Sequence, residues 1–127
     1  MIENLKNYKP IKIESSAGII NQTFSFENRV WFVSRLIEMA KDLPVFDMPM
    51  QCLNIYNLQP DIDTMLKFVT HMHQVYNADL NYPIILDEDG YVMDGRHRIA
   101  KALFLGLKSI RAVRFEQTPL PDKYIES

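Results

Sequence analysis

At 127 residues, 47% of them hydrophobic, and with a formal net charge of -2, the chain fits one domain around a single core and has no capacity for a catalytic domain beside a separate DNA-reading one. Its 24% of charged residues fits a globular fold rather than a disordered chain. No apolar run is long enough to cross a bilayer, Met1 to Ile20 lacks the continuous apolar stretch of a signal peptide, and the single cysteine, Cys52, excludes an intrachain disulfide and a cysteine-rich zinc site, so a cytoplasmic location is expected.

In chain order, Met1 to Thr23 combines a short alternation at Ile11 and Ile13 with the loop-like Ser15-Ser16-Ala17-Gly18, which reads as an edge strand or an arm. Ser25 is placed to cap a helix from Phe26 to about Lys41, where Val30, Val33, Ile37 and Ala40 recur at helical spacing. Trp31 and Phe32 widen its apolar face and offer a surface for a homodimer. Leu43 to Pro49 reads as a connector covering part of a site, because its prolines remove amide donors. Cys52 is expected in the core beside a short strand, Leu53 to Leu58, which ends at Gln59-Pro60.

Pro60 or Asp61 then opens a helix to about Asn77, with an apolar face of Met65, Leu66, Phe68, Val69, Met72, Val75 and Tyr76. Pro83-Ile84-Ile85-Leu86, the turn Asp87-Glu88-Asp89-Gly90 and Tyr91-Val92-Met93 form a β-hairpin. A helix follows Gly95, carries Ile99, Ala102, Leu103 and Phe104 inward, and stops at Gly106. Ser109 to Phe115 is a strand, and Thr118-Pro119-Leu120-Pro121 begins an irregular tail. The expected fold is α+β, a small mixed sheet packed by two or three helices. The expected organisation is a single domain over residues 1–127, with 1–50 an extension, 51–116 the core and 117–127 the tail.

Charge is segregated along this order. From Asp42 to Asp94 there are nine acids and one base, Lys67; from Gly95 to Phe115 there are six bases and no acid. The basic block begins where a strand gives way to a helix, at Asp94-Gly95-Arg96-His97-Arg98. Basic side chains in a first turn oppose the helix dipole, whereas the free N–H groups there favour an anion. Gly95, Arg96, His97 and Arg98, with Lys101 in support, are therefore the candidate phosphate- or nucleotide-binding residues, since the arginine fork matches phosphate oxygens. Asp94 has two readings: a helix cap, or a carboxylate that holds a hydrated magnesium ion or polarises an attacking hydroxyl. His71 and His73, two apart on a helix, point to opposite sides and share no metal. Asp87, Glu88 and Asp89 are turn residues without the spacing of a calcium loop.

Pro83 to Leu86, the acidic turn, Tyr91-Val92-Met93-Asp94-Gly95, the basic helix start and the last strand together resemble the ParB/sulfiredoxin superfamily, most closely over Tyr82 to Phe115. The resemblance implies that superfamily's α+β fold and a nucleotide or phosphorylated ligand at Gly95 to Arg98. ParB N-terminal domains, associated with CTP, show Gly-Glu-Arg-Arg here; Gly95 and Arg98 agree, while Arg96 replaces the glutamate and His97 the first arginine. Sulfiredoxins show Gly-Cys-His-Arg, and Arg96 stands at the position of their attacking cysteine, which excludes that thiol chemistry. Free serine kinases show Asp-Gly-His-His-Arg, matched by Asp94, Gly95, His97 and Arg98, and use an acid after a Leu-x-Pro element. Asp61 or Asp63, after Leu58-Gln59-Pro60, occupies that region.

The leading expectation is a stand-alone ParB-like domain that binds a nucleotide or other phosphorylated ligand. The alternative is a small-molecule phosphotransferase in which Asp94, with Asp61 or Asp63, aids attack on a magnesium-bound nucleotide. A third reading, DNA binding or nuclease activity, is opposed by the acidic total charge.

Overall fold

The computed structural model describes residues 22–56 and 58–126. The arm or edge strand expected at Ile11 and Ile13 lies outside them. The elements are β1 (Thr23–Phe26), β2 (Arg29–Phe32), α1 (Val33–Ala40), β3 (Phe46–Pro49), a 3-10 turn (Met50–Cys52), α2 (Met65–Tyr76), β4 (Ile84–Leu86), β5 (Val92–Asp94), α3 (Arg96–Phe104), β6 (Ser109–Arg114) and β7 (Lys123–Tyr124). The protein is α+β, with three α-helices and two sheets among the described residues.

The larger sheet has strand order β3-β6-β4-β5 and is mixed: β4 and β6 run parallel, while β3 and β5 run antiparallel to their neighbours. Strand side chains alternate between faces, so this sheet supports two cores. One face carries Ile84, Leu86, Val92, Ile110 and Ala112 against Ile99 and Ala102 of α3 and against Leu53. The other carries Ile85, Met93 and Val113 against Trp31 of β2, Leu36 and Ala40 of α1, and Phe115.

The helix expected from Phe26 to Lys41 forms only in its second half. Its first half is a hairpin whose two-residue turn, Glu27-Asn28, places Glu27 at φ 58°. Phe24 and Trp31 pair across the strands with ring centroids 5.6 Å apart, and such cross-strand aromatic contact outweighs a helical spacing shared by only a few apolar positions. Ser25 is thus a strand residue, not a cap, and Trp31 is 2% exposed, which removes it as a dimer surface. Leu43 to Pro49 ends in a strand rather than remaining a connector: β3 is an edge strand, and Pro49 at its end costs no central ladder bond. Residues 23–50, expected as an extension, supply four of the strands and helices.

No strand forms among the described residues of 53–58. Asn54 Oδ1 accepts from Tyr56 N at 3.3 Å and Ile55 O accepts from Leu58 N at 3.1 Å, turns that compete with a strand ladder. Cys52 is exposed rather than in the core. The expected hairpin forms as β4 and β5, where Asp87 Oδ1 accepts from Asp89 N and Tyr91 N at 2.9 and 2.8 Å. The tail is strapped down: Trp31 Nε1 donates to Pro119 O at 2.8 Å, Asp122 accepts from Phe32 N and Arg35 at 2.8 and 2.9 Å, and β7 joins β2.

Candidate functional site

Gly95 turns the chain from β5 into α3 at φ 121°, a conformation that only glycine adopts readily. It is buried, and a Cβ there would stand 2.8 Å from Ile84 Cβ. This close approach aims the first turn of α3 past the edge of the sheet, with three consecutive bases, Arg96, His97 and Arg98, and no acid.

The bases do different work. Arg98 Nη2 donates to Asp94 Oδ2 at 2.9 Å, and the two side chains are each 17% exposed. Asp94 is therefore an internal counter-ion one turn away, and no side chain caps α3. Lys101 Nζ donates to Tyr76 O and Ala78 O at 2.8 Å each, satisfying carbonyls that the end of α2 leaves free. Its place is the α2–α3 clasp, away from the cradle that the sequence assigned it.

Arg96 is exposed and has no carboxylate within ion-pair distance among the described residues. His97 is half-buried, and its ring lies 5.1 Å from that of His71 on α2. Burial, then the neighbouring His71 and Arg96, push His97 down to about 4, with Asp94 opposing. Burial and then Arg96 also lower His71. Both imidazoles are neutral at neutral pH and each has one N–H to donate.

Arg96, His97 and His71 border a cleft of about 610 Å³ between α2 and α3. Ile55, Leu58, Leu66, Ile99 and Leu103 make an apolar wall, and Lys67, Thr70 and Gln74 line the α2 side. Leu103 and Phe104, expected inward, are 47% and 87% exposed, because α3 turns only Ile99 and Ala102 fully into the core. His71 lines the cleft and His73 is exposed, in keeping with their opposite directions. Lys67, Thr70, His71 and Gln74 were legible as a polar stripe at helical spacing, a signal overshadowed by the apolar stripe of the same helix.

Asp61 and Asp63 share one lysine, and Asp94 pairs elsewhere with Arg98. Asp61 lines the cleft with Arg96 and His97, whereas Asp94 lines a second hollow of about 1210 Å³ that Arg96 and His97 also border. Asp61 and Asp63 are exposed and held by Lys67 Nζ at 3.2 and 3.1 Å. Their hydrogen bonds, Asp63 first, raise the lysine's pKa and keep it charged. No cluster of three or more metal-ligating side chains occurs among the described residues, and a cation at Asp94 must compete with the Arg98 guanidinium.

The shifted histidines make stability depend on pH. The unfolded chain protonates near the ordinary value of 6.5 while folded His97 resists until about 4, so the unfolded state binds more protons in that window. Stability is then fully present above pH 6.5 and falls as pH drops toward 4. His97→Gln is expected to flatten this slope in urea midpoints measured at the two ends of the window; an unchanged slope would refute it.

No helix among the described residues is long and apolar enough to cross a membrane. Compared with known proteins, the chain matches no family model, no curated protein and no solved structure.

Proposed function

We propose that this chain binds a nucleotide or other phosphorylated small molecule in the α2–α3 cleft, with the phosphate on Arg96 and His97 and the apolar portion against Ile55, Leu58 and Leu103. The observation that carries this reading is Arg96 at the first turn of α3, without a carboxylate partner among the described residues, beside two neutral imidazoles and an apolar wall in one cleft. A few convergent polar donors at the head of a mostly apolar concavity are the general form of a small-molecule site. The likeness of residues 82–115 to the ParB/sulfiredoxin superfamily points the same way. Simple binding is favoured over phosphotransfer, because Asp94 is spent on Arg98 and lies outside the cleft that holds Asp61.

The test is a thermal-shift screen of ATP, ADP, CTP, GTP and inorganic phosphate, each with magnesium and with chelator. A ligand present at about a hundred times its Kd stabilises by roughly 2.7 kcal/mol, enough for a clear rise in midpoint. Arg96→Ala is expected to weaken binding by about tenfold or more, the scale of one lost charge-assisted hydrogen bond. If no ligand moves the midpoint and Arg96→Ala leaves a phosphate titration unchanged, the reading is wrong.

A further inference from the structure

α2 turns a polar stripe toward the cleft and leaves an apolar stripe to solvent. Lys67, Thr70, His71 and Gln74 face the cleft beside α3, while Met65, Phe68, Met72 and Tyr76, on the opposite stripe, are 76%, 43%, 53% and 80% exposed. None of the twelve residues of α2 is fully buried. A surface helix ordinarily does the reverse and turns its apolar stripe to the core. The Lys101 clasp on the α2 terminus holds the helix in this orientation.

We propose that the outward stripe of α2 is the docking surface for a second copy of this chain, paired helix to helix about a twofold axis. Area supports this first. At about 200 Å² for a fully exposed large side chain, those four residues leave roughly 500 Å² of apolar surface. A stable interface covers about 800 Å² on each partner, some three-fifths of it apolar, which is the same roughly 500 Å².

Charge supports it second. A twofold interface sets each residue of the patch against the same patch, so a patch of one sign repels itself. The α2 stripe carries no formal charge, and the one lysine of the helix lies on the opposite side, neutralised by Asp61 and Asp63 at 3.2 and 3.1 Å. An amphipathic helix that lies on a membrane instead lines its polar face with several lysines and arginines, and α2 has only Lys67.

Sedimentation velocity on the full chain across the micromolar range tests the pairing. A reversible dimer is expected, with Met72 near the axis. Met72→Glu would oppose two carboxylates there and weaken self-association on the order of a hundredfold. Tyr76→Lys, at a position 80% exposed and therefore harmless to the fold, is expected to weaken it too. Far-UV circular dichroism identifies any variant that fails to fold, in which case Tyr76→Lys decides. A parent chain that stays monomeric throughout, its stripe left to another occupant, overturns the proposal. So does a dimer that survives both substitutions.

Discussion

Replacing Gly95 with alanine is expected to destabilise the fold by about 3 kcal/mol and to lower its thermal midpoint on the order of 10 °C. Two costs combine. A φ of 121° is strained for any side chain, and the new Cβ would stand 2.8 Å from Ile84 Cβ. Ile84 has no room to move: it is 0% exposed, pairs with Ala112 across the parallel β4–β6 ladder, and packs in the first core. Gly106→Ala separates the two costs. That glycine also has positive φ, 70°, but a Cβ there meets nothing within 4 Å, so only about 1 kcal/mol of backbone strain is expected. Calorimetry on both variants decides; equal losses would show that the approach to Ile84 contributes nothing.

Arg98→Ala is expected to cost about 2 kcal/mol of stability, against about 1 kcal/mol for Asp94→Asn. The difference arises because removing the guanidinium leaves a carboxylate that is 17% exposed without its partner, whereas an asparagine side chain keeps an acceptor and discards the charge. The double variant should lose less than the sum of the singles, by about 1 kcal/mol, in urea denaturation. Additive losses would mean that the pair is not coupled. Arg96→Ala provides the contrast: its side chain is exposed at a helix start whose dipole opposes a cation, so stability should change by less than about 0.5 kcal/mol while ligand affinity falls. Two arginines two residues apart, alike in the sequence, divide into one that is paired within the fold and one that is exposed at the helix start.

That division explains what the sequence disclosed. The β4–β5 hairpin, the glycine turn, α3 and β6 were legible because their determinants are local: an apolar triplet, an acidic turn with glycine, a second apolar run, then a glycine at each end of a helix. The N-terminal half was not, because Phe24, Trp31 and Phe32 tolerate either period, and what selects the strand is Trp31 meeting Phe24 across the hairpin and Pro119 far along the chain. Of the residues that line the candidate cleft, Arg96 and His97 stand in the segment that the sequence singled out. The contribution of α2 was not legible: His71 beside His97 depends on how two helices cross, and the orientation of α2 contradicts the rule by which its buried face was assigned.

Trp31 is the chain's only tryptophan, and it sits in the core opposite α3, with its indole N–H on the Pro119 carbonyl. Its emission is consequently a local reporter. A red shift registers opening of the second core or release of the C-terminal strap, and is blind to events in the α2–α3 cleft, where there is no indole. An unfolding curve followed by fluorescence therefore describes one side of the central sheet, and its coincidence with a circular dichroism curve is the evidence that both sides melt as one unit.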